Sequence, residues 1–462
     1  MERLDRLLGA FCRRGWPGGF RISKVKSTGS SRSPDSIGKS HRNSRCRLCR
    51  SEKLTKILDL GNMPLAGGFL ERGKMSSEKL YPLALYLCAN CSLVQLIDVV
   101  PPETLFKNYF YFSSAIDTLV HHFRRYAEEL TRKFQLDSHS VVVEIGSNDG
   151  ILLKPLQALG VKCIGVDPAS NVTRTAAVEG LETINDFFSE DVSMRILEKT
   201  GPADLILASN SFAHIDDMEE VMRGVTTLLK RDGVLAIEVH YLPVLIKDLN
   251  YEMIYHEHLN YYSVSSLSRF FDRYNMEIFE VKKTPIHGGS VRCYVRRKGV
   301  SKRAVSESVN EFLDSEERLR LDDYKTYSRF AKRVQNSKKE LLELLQRLKK
   351  RGICIIGYGA SGRATILMNF CRIDSELIDY VVDDSPVKQG FFTPGTHLPI
   401  KAWPSDETEW PDYVLLFAWS FLDEIKKKRF DYLREGGKFV VPLPKVRVVS
   451  VQSSKRPVGW VN

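Results

Sequence analysis

Twice in this chain a run of β-branched and aliphatic residues ends at a glycine-rich turn that opens into a helical pattern, and no other feature constrains the fold as strongly. The first is Ser140-Val-Val-Val-Glu144-Ile-Gly146-Ser-Asn148-Asp149-Gly150, with helical apolar spacing over Ile151 to Leu159. The second is Ile353-Cys-Ile-Ile-Gly357-Tyr-Gly359-Ala-Ser-Gly362. A glycine turn at the carboxyl end of a strand lets a ligand lie against bare backbone in the crevice of an open α/β sheet. The chain is therefore expected to be of the α/β class, with two Rossmann-like units in 462 residues. At roughly 100 to 200 residues per domain, that length holds two to four domains.

A third module is marked by cysteine spacing. Cys46-Arg-Leu-Cys49 and Cys88-Ala-Asn-Cys91 are two C-x2-C knuckles 38 residues apart. Together they offer the four thiolates of a closed tetrahedral Zn2+ site, which leaves no position for water and makes the metal structural. A turn at Gly61-Asn62-Met63-Pro64 and strands over Lys56 to Leu60 and Pro82 to Leu87 would hold the knuckles together as a small β module. The alternatives are a redox pair or free thiols. Five further cysteines stand alone in the sequence, so a disulfide scaffold is not expected.

The first glycine turn reads E-x-G-x-x-x-G, not the G-x-G-x-x-G of dinucleotide sites, and this is the signature of methyltransferases that use S-adenosylmethionine (SAM). The candidate cofactor residues are Glu144, Gly146, Asn148 and Gly150 of the turn, Asp167 at the end of the next strand, and Asn210 at the end of Ala203 to Asn210. Asp167 would accept the ribose hydroxyls, and Asp186-Phe-Phe188 could frame the adenine. Leu228 to Glu238 reads as a helix end, a glycine turn at Gly233 and a fifth strand.

After that strand comes the densest ionisable group of the chain, Tyr251-Glu-Met-Ile-Tyr255-His256-Glu257-His258-Leu-Asn-Tyr261-Tyr262-Ser263. H-E-H lacks the i, i+4 histidines of a zincin. On a strand His256 and His258 could share a face as metal ligands, and structural hydrogen bonding is the plainer alternative. Beside a SAM site acid/base chemistry is favoured, because methylating carbon first requires loss of a C–H proton, a task suited to histidine. The second glycine turn fits G-x-G-x-x-G with Asp383 after a strand over Leu377 to Val382. That pattern allows an NAD-linked oxidoreductase, but backbone N–H groups at a helix N-terminus also bind the pyrophosphate of a nucleotide sugar.

The formal net charge of +11 is unevenly spread. Residues 1–45 carry a balance of +8 and the rest only +3. The leader is Ser/Gly/Arg-rich and expected to be disordered. A transit peptide or a nucleic-acid-binding tail are lesser readings, the latter giving a zinc-dependent nucleic-acid-binding protein as a third class. No apolar run reaches the ~20 residues of a membrane span. A soluble cytoplasmic protein with neither membrane nor nucleic acid as partner is expected.

Taken in order, the two knuckles, EIGSNDG, NSFAHI, IYHEHLNYYS, HGGSVR, GYGASGRAT and DYVVDDSPVKQGFFTPGTHLPI resemble the deoxysugar C-methyltransferases over roughly residues 46–445. The resemblance implies a zinc module, a SAM domain and a C-terminal Rossmann-like domain. It also implies methyl transfer to the carbon alpha to the ketone of a nucleoside-diphosphate 4-keto-deoxysugar. His258 is then the base, Tyr255 and Glu257 orient it or stabilise the enolate, and His214 assists. Tyr109 is the active-site tyrosine, with Tyr111 its rival. Gly357, Gly359, Gly362 and Arg363 are expected to hold the nucleotide sugar. The family's second glycine loop continues in a Lys-Gly-Asn-like run, here Ser361-Gly-Arg363-Ala-Thr, and Arg363 is expected to keep the phosphate contact. The expected layout is leader 1–45, zinc module 46–112, SAM domain 113–300 and C-terminal domain 301–462, in a monomer or homodimer.

Overall fold

The computed structural model describes residues 38–106, 112–300 and 304–451, and the backbone of residues 460–461. Strand β1 (His41–Arg42) pairs antiparallel with β5 (Asp98–Val99), and β2 (Leu54–Met63), β3 (Tyr81–Cys88) and β4 (Val94–Leu96) form a meander between them. Residues 38–45, read from sequence as the end of a disordered leader, are thus built into the module. Arg42 lies 3.6 Å from Asp98 and donates to the Tyr86 hydroxyl, so charge that looked solvated is paired. Residues 1–37 lie outside the described residues. The turn expected at Gly61 to Pro64 is instead the end of β2. Register shifts at Lys56/Leu58 and Asp59/Gly61 absorb the left-handed Gly61 (φ 84°) as bulges, so the strand continues.

The four cysteine sulfurs lie within 4.8 Å of one another, with Cys46–Cys91 and Cys49–Cys88 at 3.5 Å. A tetrahedron of thiolates about 2.3 Å from Zn2+ has edges of about 3.8 Å, so the donor set fits the ion. Hydrogen bonding to Cys88, reinforced by burial, pushes the Cys46 thiol up to about 12. Cys91 is raised too, through its contacts with Cys46 and Cys88. Cys88, the acceptor, is held far below the usual range. Four thiolates so close need a cation among them, and zinc is the metal this set takes.

The first α/β sheet has the order β12-β13-β10-β9-β6-β7-β8, built from β6 (Val141–Ile145), β7 (Lys162–Val166), β8 (Glu182–Ile184), β9 (Ala203–Ser209), β10 (Leu229–His240), β12 (Met276–Thr284) and β13 (Ser290–Arg297). β6 to β10 run parallel, and β13 enters antiparallel between β10 and β12. The chain order reverses beside β6, so the crevice opens at the Gly146 turn. No separate glycine turn interrupts at Gly233. β10 starts at Leu229 and shifts register before Val234, and a Cβ on Gly233 would lie 3.0 Å from the Ala203 carbonyl oxygen.

Strand β11 (Asn260–Tyr261) leaves this domain and joins the zinc module, pairing antiparallel with β4 through Asn260↔Gln95 and Tyr261↔Val94. Helices Glu307–Leu319 and Tyr324–Lys350 then lead to a second sheet, in which β14 (Ile355–Tyr358) is flanked by β15 (Val381–Val382) and β17 (Tyr413–Leu416). β16 (Ile400–Lys401) and β18 (Lys438–Val441) extend it in parallel, and β19 (Arg447–Val451) and β20 (Trp460–Val461) complete it antiparallel. One apolar core joins three regions: Leu85 and Leu96 of the module, Tyr251 and Ile254, and Phe330, Ile366 and Leu415 of the C-terminal part. Among the described residues no helix is long and apolar enough to cross a membrane.

Cys88→Ser is expected to abolish stoichiometric zinc, measured by plasma mass spectrometry. Because metal binding is part of the folding free energy, the same variant should cost about 3 kcal/mol or more and lower the calorimetric melting temperature by about 5 °C or more.

Candidate active site

The first glycine turn is shaped by two left-handed glycines that tolerate no side chain. Gly146 (φ 71°) would put a Cβ 2.4 Å from the Ser211 Cβ, and Gly150 (φ 81°) would drive one into Leu181. Between them Asn148 is itself left-handed and donates its backbone N–H to Asp167 Oδ2 at 2.9 Å. The other Asp167 oxygen accepts from the Ala169 N–H. Asn210, also left-handed, donates its N–H to the Glu238 carbonyl at 2.7 Å. All six residues read from sequence as cofactor residues therefore lie on the glycine turn or at the ends of β6, β7 and β9. Phe188 is buried in the core, whereas Phe187 is exposed, so Asp186 to Phe188 forms no continuous wall.

This cleft is acidic and dry. Burial pushes the Glu144 carboxyl up to about 8, with Asp167 and Asp149 adding like charge. Burial also raises Asp167, partly offset by its two backbone donors. Glu144 Oε2, Ser147 Oγ, Asp149 Oδ1 and Ser209 Oγ are buried with no hydrogen-bond partner. Orphaned acceptors among carboxylates fit a ligand that is cationic and carries hydroxyl and ammonium donors, as SAM does. Sequence reasoning missed the span over this turn, where the Ser113 and Ser114 N–H groups donate to Asn148 Oδ1 and Asp149 Oδ2, both at 3.1 Å.

The ionisable cluster lies beside this cleft. Residues 255–258 form a turn, so His256 and His258 diverge. His256 turns into the zinc module, with Nε2 3.3 Å from the Tyr81 carbonyl oxygen, and the metal-pair alternative fails on that geometry. His258 turns instead toward the His214 turn that follows β9. Its ring lies 3.9 Å from that of Tyr255 and 5.2 Å from that of His214, while the Phe106 ring stacks on His214 at 5.7 Å. The structure thus brings together His258, Tyr255 and His214. Glu257 lies on the same turn, near Gly67. Tyr109 and Tyr111 lie outside the described residues.

His258 Nδ1 is 2.8 Å from the Met253 carbonyl oxygen, which fixes the N–H on Nδ1 and leaves the Nε2 lone pair available. Burial, with His214, His240 and His287 nearby, holds His258 well below the usual histidine range. Burial likewise lowers His214 to about 4. Both rings are thus kept in the neutral form, with a lone pair to offer, and are weaker bases than free imidazole. Behind them Glu238 takes Arg292 (Nη2–Oε2 2.6 Å) and His122 (Nε2–Oε1 3.0 Å), and the Arg292 guanidinium lies 3.1 Å above the Tyr126 ring. Burial works against the Glu238 charge, but His122 and Arg292 hold its carboxyl below the usual range. Arg292 closes the HGGSVR block, so a signal for this network was present in sequence.

The second glycine turn is closely packed by its own domain and, at Gly362, by the zinc module. A Cβ on Gly359 (φ 95°) would meet Ala418, one on Gly357 would meet Phe417, and one on Gly362 would stand 3.1 Å from Ala66 of the module. Arg363, expected to reach phosphate, is held by the buried Glu252, which also accepts from Trp419 Nε1 at 3.1 Å. Asp383 lies 3.2 Å from Lys388 Nζ.

Sequence families match in the same order: a putative zinc binding domain over residues 46–106, a methyltransferase domain over 119–281 and a C-methyltransferase C-terminal domain over 285–444. The chain is 33% identical over 410 residues to C-methyltransferase NovU of Streptomyces niveus, covering 88% of this chain and 97% of that one. It is 28% identical over 117 residues to a ubiquinone biosynthesis O-methyltransferase of Bradyrhizobium diazoefficiens, covering 23% of this chain and 45% of that one. Among solved structures, a SAM-dependent methyltransferase from Anabaena variabilis is 14% identical, covers 38% of this chain and 84% of that one, and gives a TM-score of 0.31.

Asp167→Ala should weaken SAM binding about 10- to 100-fold by isothermal calorimetry, the size expected for lost charged hydrogen bonds. A bound cation favours ionised Glu144, so binding releases a proton wherever that group is protonated in the free protein. SAM affinity should therefore rise as pH climbs toward about 8 and level off above it. In Glu144→Gln that slope should disappear.

Proposed function

We propose, from the premise that this chain belongs to the C-methyltransferase family and uses SAM, that its acceptor is a nucleoside-diphosphate 4-keto-deoxysugar methylated on the carbon alpha to the ketone. The observation that carries this reading is the neutral, half-buried His258, with a free Nε2, beside an acid-floored cleft for a cationic cofactor. A hydroxyl also gives up its proton when methylated but is already a nucleophile, whereas carbon becomes one only after a base has removed its proton, so a C-methyltransferase cannot do without such a group.

When bound, SAM supplies the electrophilic methyl group. His258 Nε2 takes the proton from the alpha carbon, and the C–H electron pair moves into the enolate, whose oxygen carries the charge. Tyr255, in ring contact with His258, is placed to donate to that oxygen, and Tyr109 is proposed to share the task. His214, stacked on His258, keeps the ring oriented and limits water around it. Glu257 assists from the same turn. The enolate carbon then forms its bond to the methyl as the sulfonium–methyl bond breaks, leaving a neutral thioether. Positioning and charge stabilisation are the protein's share of the work. The nucleotide is assigned to the second glycine turn at Gly357, Gly359 and Gly362. Arg363 is available for its diphosphate, provided the anion competes with Glu252.

Incubation with methyl-labelled SAM and a panel of nucleotide 4-keto-6-deoxysugars should place label on carbon; label on oxygen alone, or none across the panel, would overturn the reading. His258→Ala should lower kcat about 10²- to 10⁴-fold, the usual worth of a general base, with SAM affinity unchanged. Because the base form of His258 persists to low pH, kcat/KM for the sugar, measured at saturating SAM so that Glu144 does not contribute, should hold steady from neutral pH down through the ordinary histidine range and fall only below it.

A further inference from the structure

Arg47 stands between the two cysteines of the first knuckle, yet its side chain is fully buried. Its Nε donates to Asp216 Oδ1 at 2.7 Å, and its Nη1 donates to Gln95 Oε1 at 3.2 Å and to the Leu96 carbonyl. Its backbone N–H also reaches Gln95 Oε1. A buried guanidinium is costly unless its partners are well placed, and here they lie on two domains. Gln95 and Leu96 belong to the zinc module. Asp216 belongs to the methyltransferase domain, two residues beyond His214.

The turn that carries His214 (Phe212–His214) is also tied from the segment that holds His258, while Asn43 and His41 of the zinc module reach the same Asp216. The Tyr262 hydroxyl donates to the Phe212 carbonyl at 3.1 Å, and Asn260 Nδ2 donates to the Ile215 carbonyl at 2.9 Å. Asn260 is also the residue of β11 that pairs with Gln95. The knuckle, the His214 turn and the His258 segment therefore meet around one side-chain amide and one guanidinium.

We propose that Arg47 is a positioning residue for methyl transfer: through Asp216 it holds the His214 turn against the His258 ring, so that the metal knuckle fixes the spacing of the two histidines. The inference rests on the reading of these histidines as the active-site pair. His214 is faced by the Phe106 and His258 rings, with His287 nearby. His258 is faced by Tyr255 and His214, with His240 and His287 nearby. Glu238 and Arg363 act on this group through His287. These surroundings leave each ring only partly open to solvent, and a loosened turn admits more water to them.

The test uses the zinc-loaded full chain with ¹⁵N-labelled histidine, in wild type, Arg47→Met, Arg47→Lys and Asp216→Asn. The His214 ring signals, assigned by their loss in His214→Gln, should not titrate between about pH 5.5 and 8 in the wild type. In Arg47→Met and Asp216→Asn they should titrate within that window, with zinc content and SAM affinity unchanged and methyl transfer at least about tenfold slower. Arg47→Lys should recover part of the loss. Asp216 is partly exposed, so Asp216→Asn decides the matter if Arg47→Met does not fold. Zinc-loaded variants with a silent His214 and full turnover would overturn the inference. A wild type that methylates none of the keto sugars, with the His214 change still present in the variants, would overturn the substrate reading and leave this one standing.

Discussion

The pairing of β11 with β4 is the contact on which the rest of the arrangement depends. Two residues, Asn260 and Tyr261, complete a sheet that belongs to the zinc module, and the segment just before them carries Tyr255, Glu257 and His258. Backbone pairing of this kind sets register to the residue, since a slip by one reverses every side chain. The module is therefore a template for the segment beside the cofactor cleft. Zinc stabilises the knuckles, the knuckles fix the ends of β3 and the start of β4, and β4 fixes β11.

Around that template the molecule sorts its ionisable groups by how each one's charge is treated. Glu238, Arg292 and His122 form a closed network with aromatic cover, where opposite charges meet at hydrogen-bond distance. The histidines beside it are held neutral by burial and by one another. Glu144, Asp149 and Ser209 keep oxygen atoms without partners. A domain held together by packing alone would have little reason to retain such orphans, and they mark where a ligand completes the structure.

What could be read from sequence was local. Each strand, glycine turn and helix start lies within about a dozen residues, and the knuckles state their ligand geometry in their spacing. Cys46, Cys49, Cys88 and Cys91 converge as that spacing requires. What escaped depends on partners far along the chain. His256 and His258 were an alternating pair on paper and diverge because β11 is drawn to the module. Residues 38–45 looked like tail because their partners, Asp98 and Val99, come more than fifty positions later. Arg363 looked like a free phosphate ligand because Glu252 is remote in sequence. The expected turn at Gly61 is a bulge in a strand that β3 holds in register. Arg47 was in plain view inside the knuckle, but nothing nearby announces Asp216.

The apolar core shared by the module, the residues around Tyr251 and the C-terminal sheet bears on how the chain comes apart. Leu70 bridges to Phe392, and Glu78 takes the Gly395 N–H and His397 on the far domain. The boundaries suggested by sequence families therefore do not coincide with units of cooperative unfolding. A fragment cut at residue 300 would expose one wall of this core, and an intact chain stripped of its metal would lose a component common to both halves. Loss of the metal is then expected to loosen core in both halves at once, so the modules drawn in sequence are not independent when the chain unfolds.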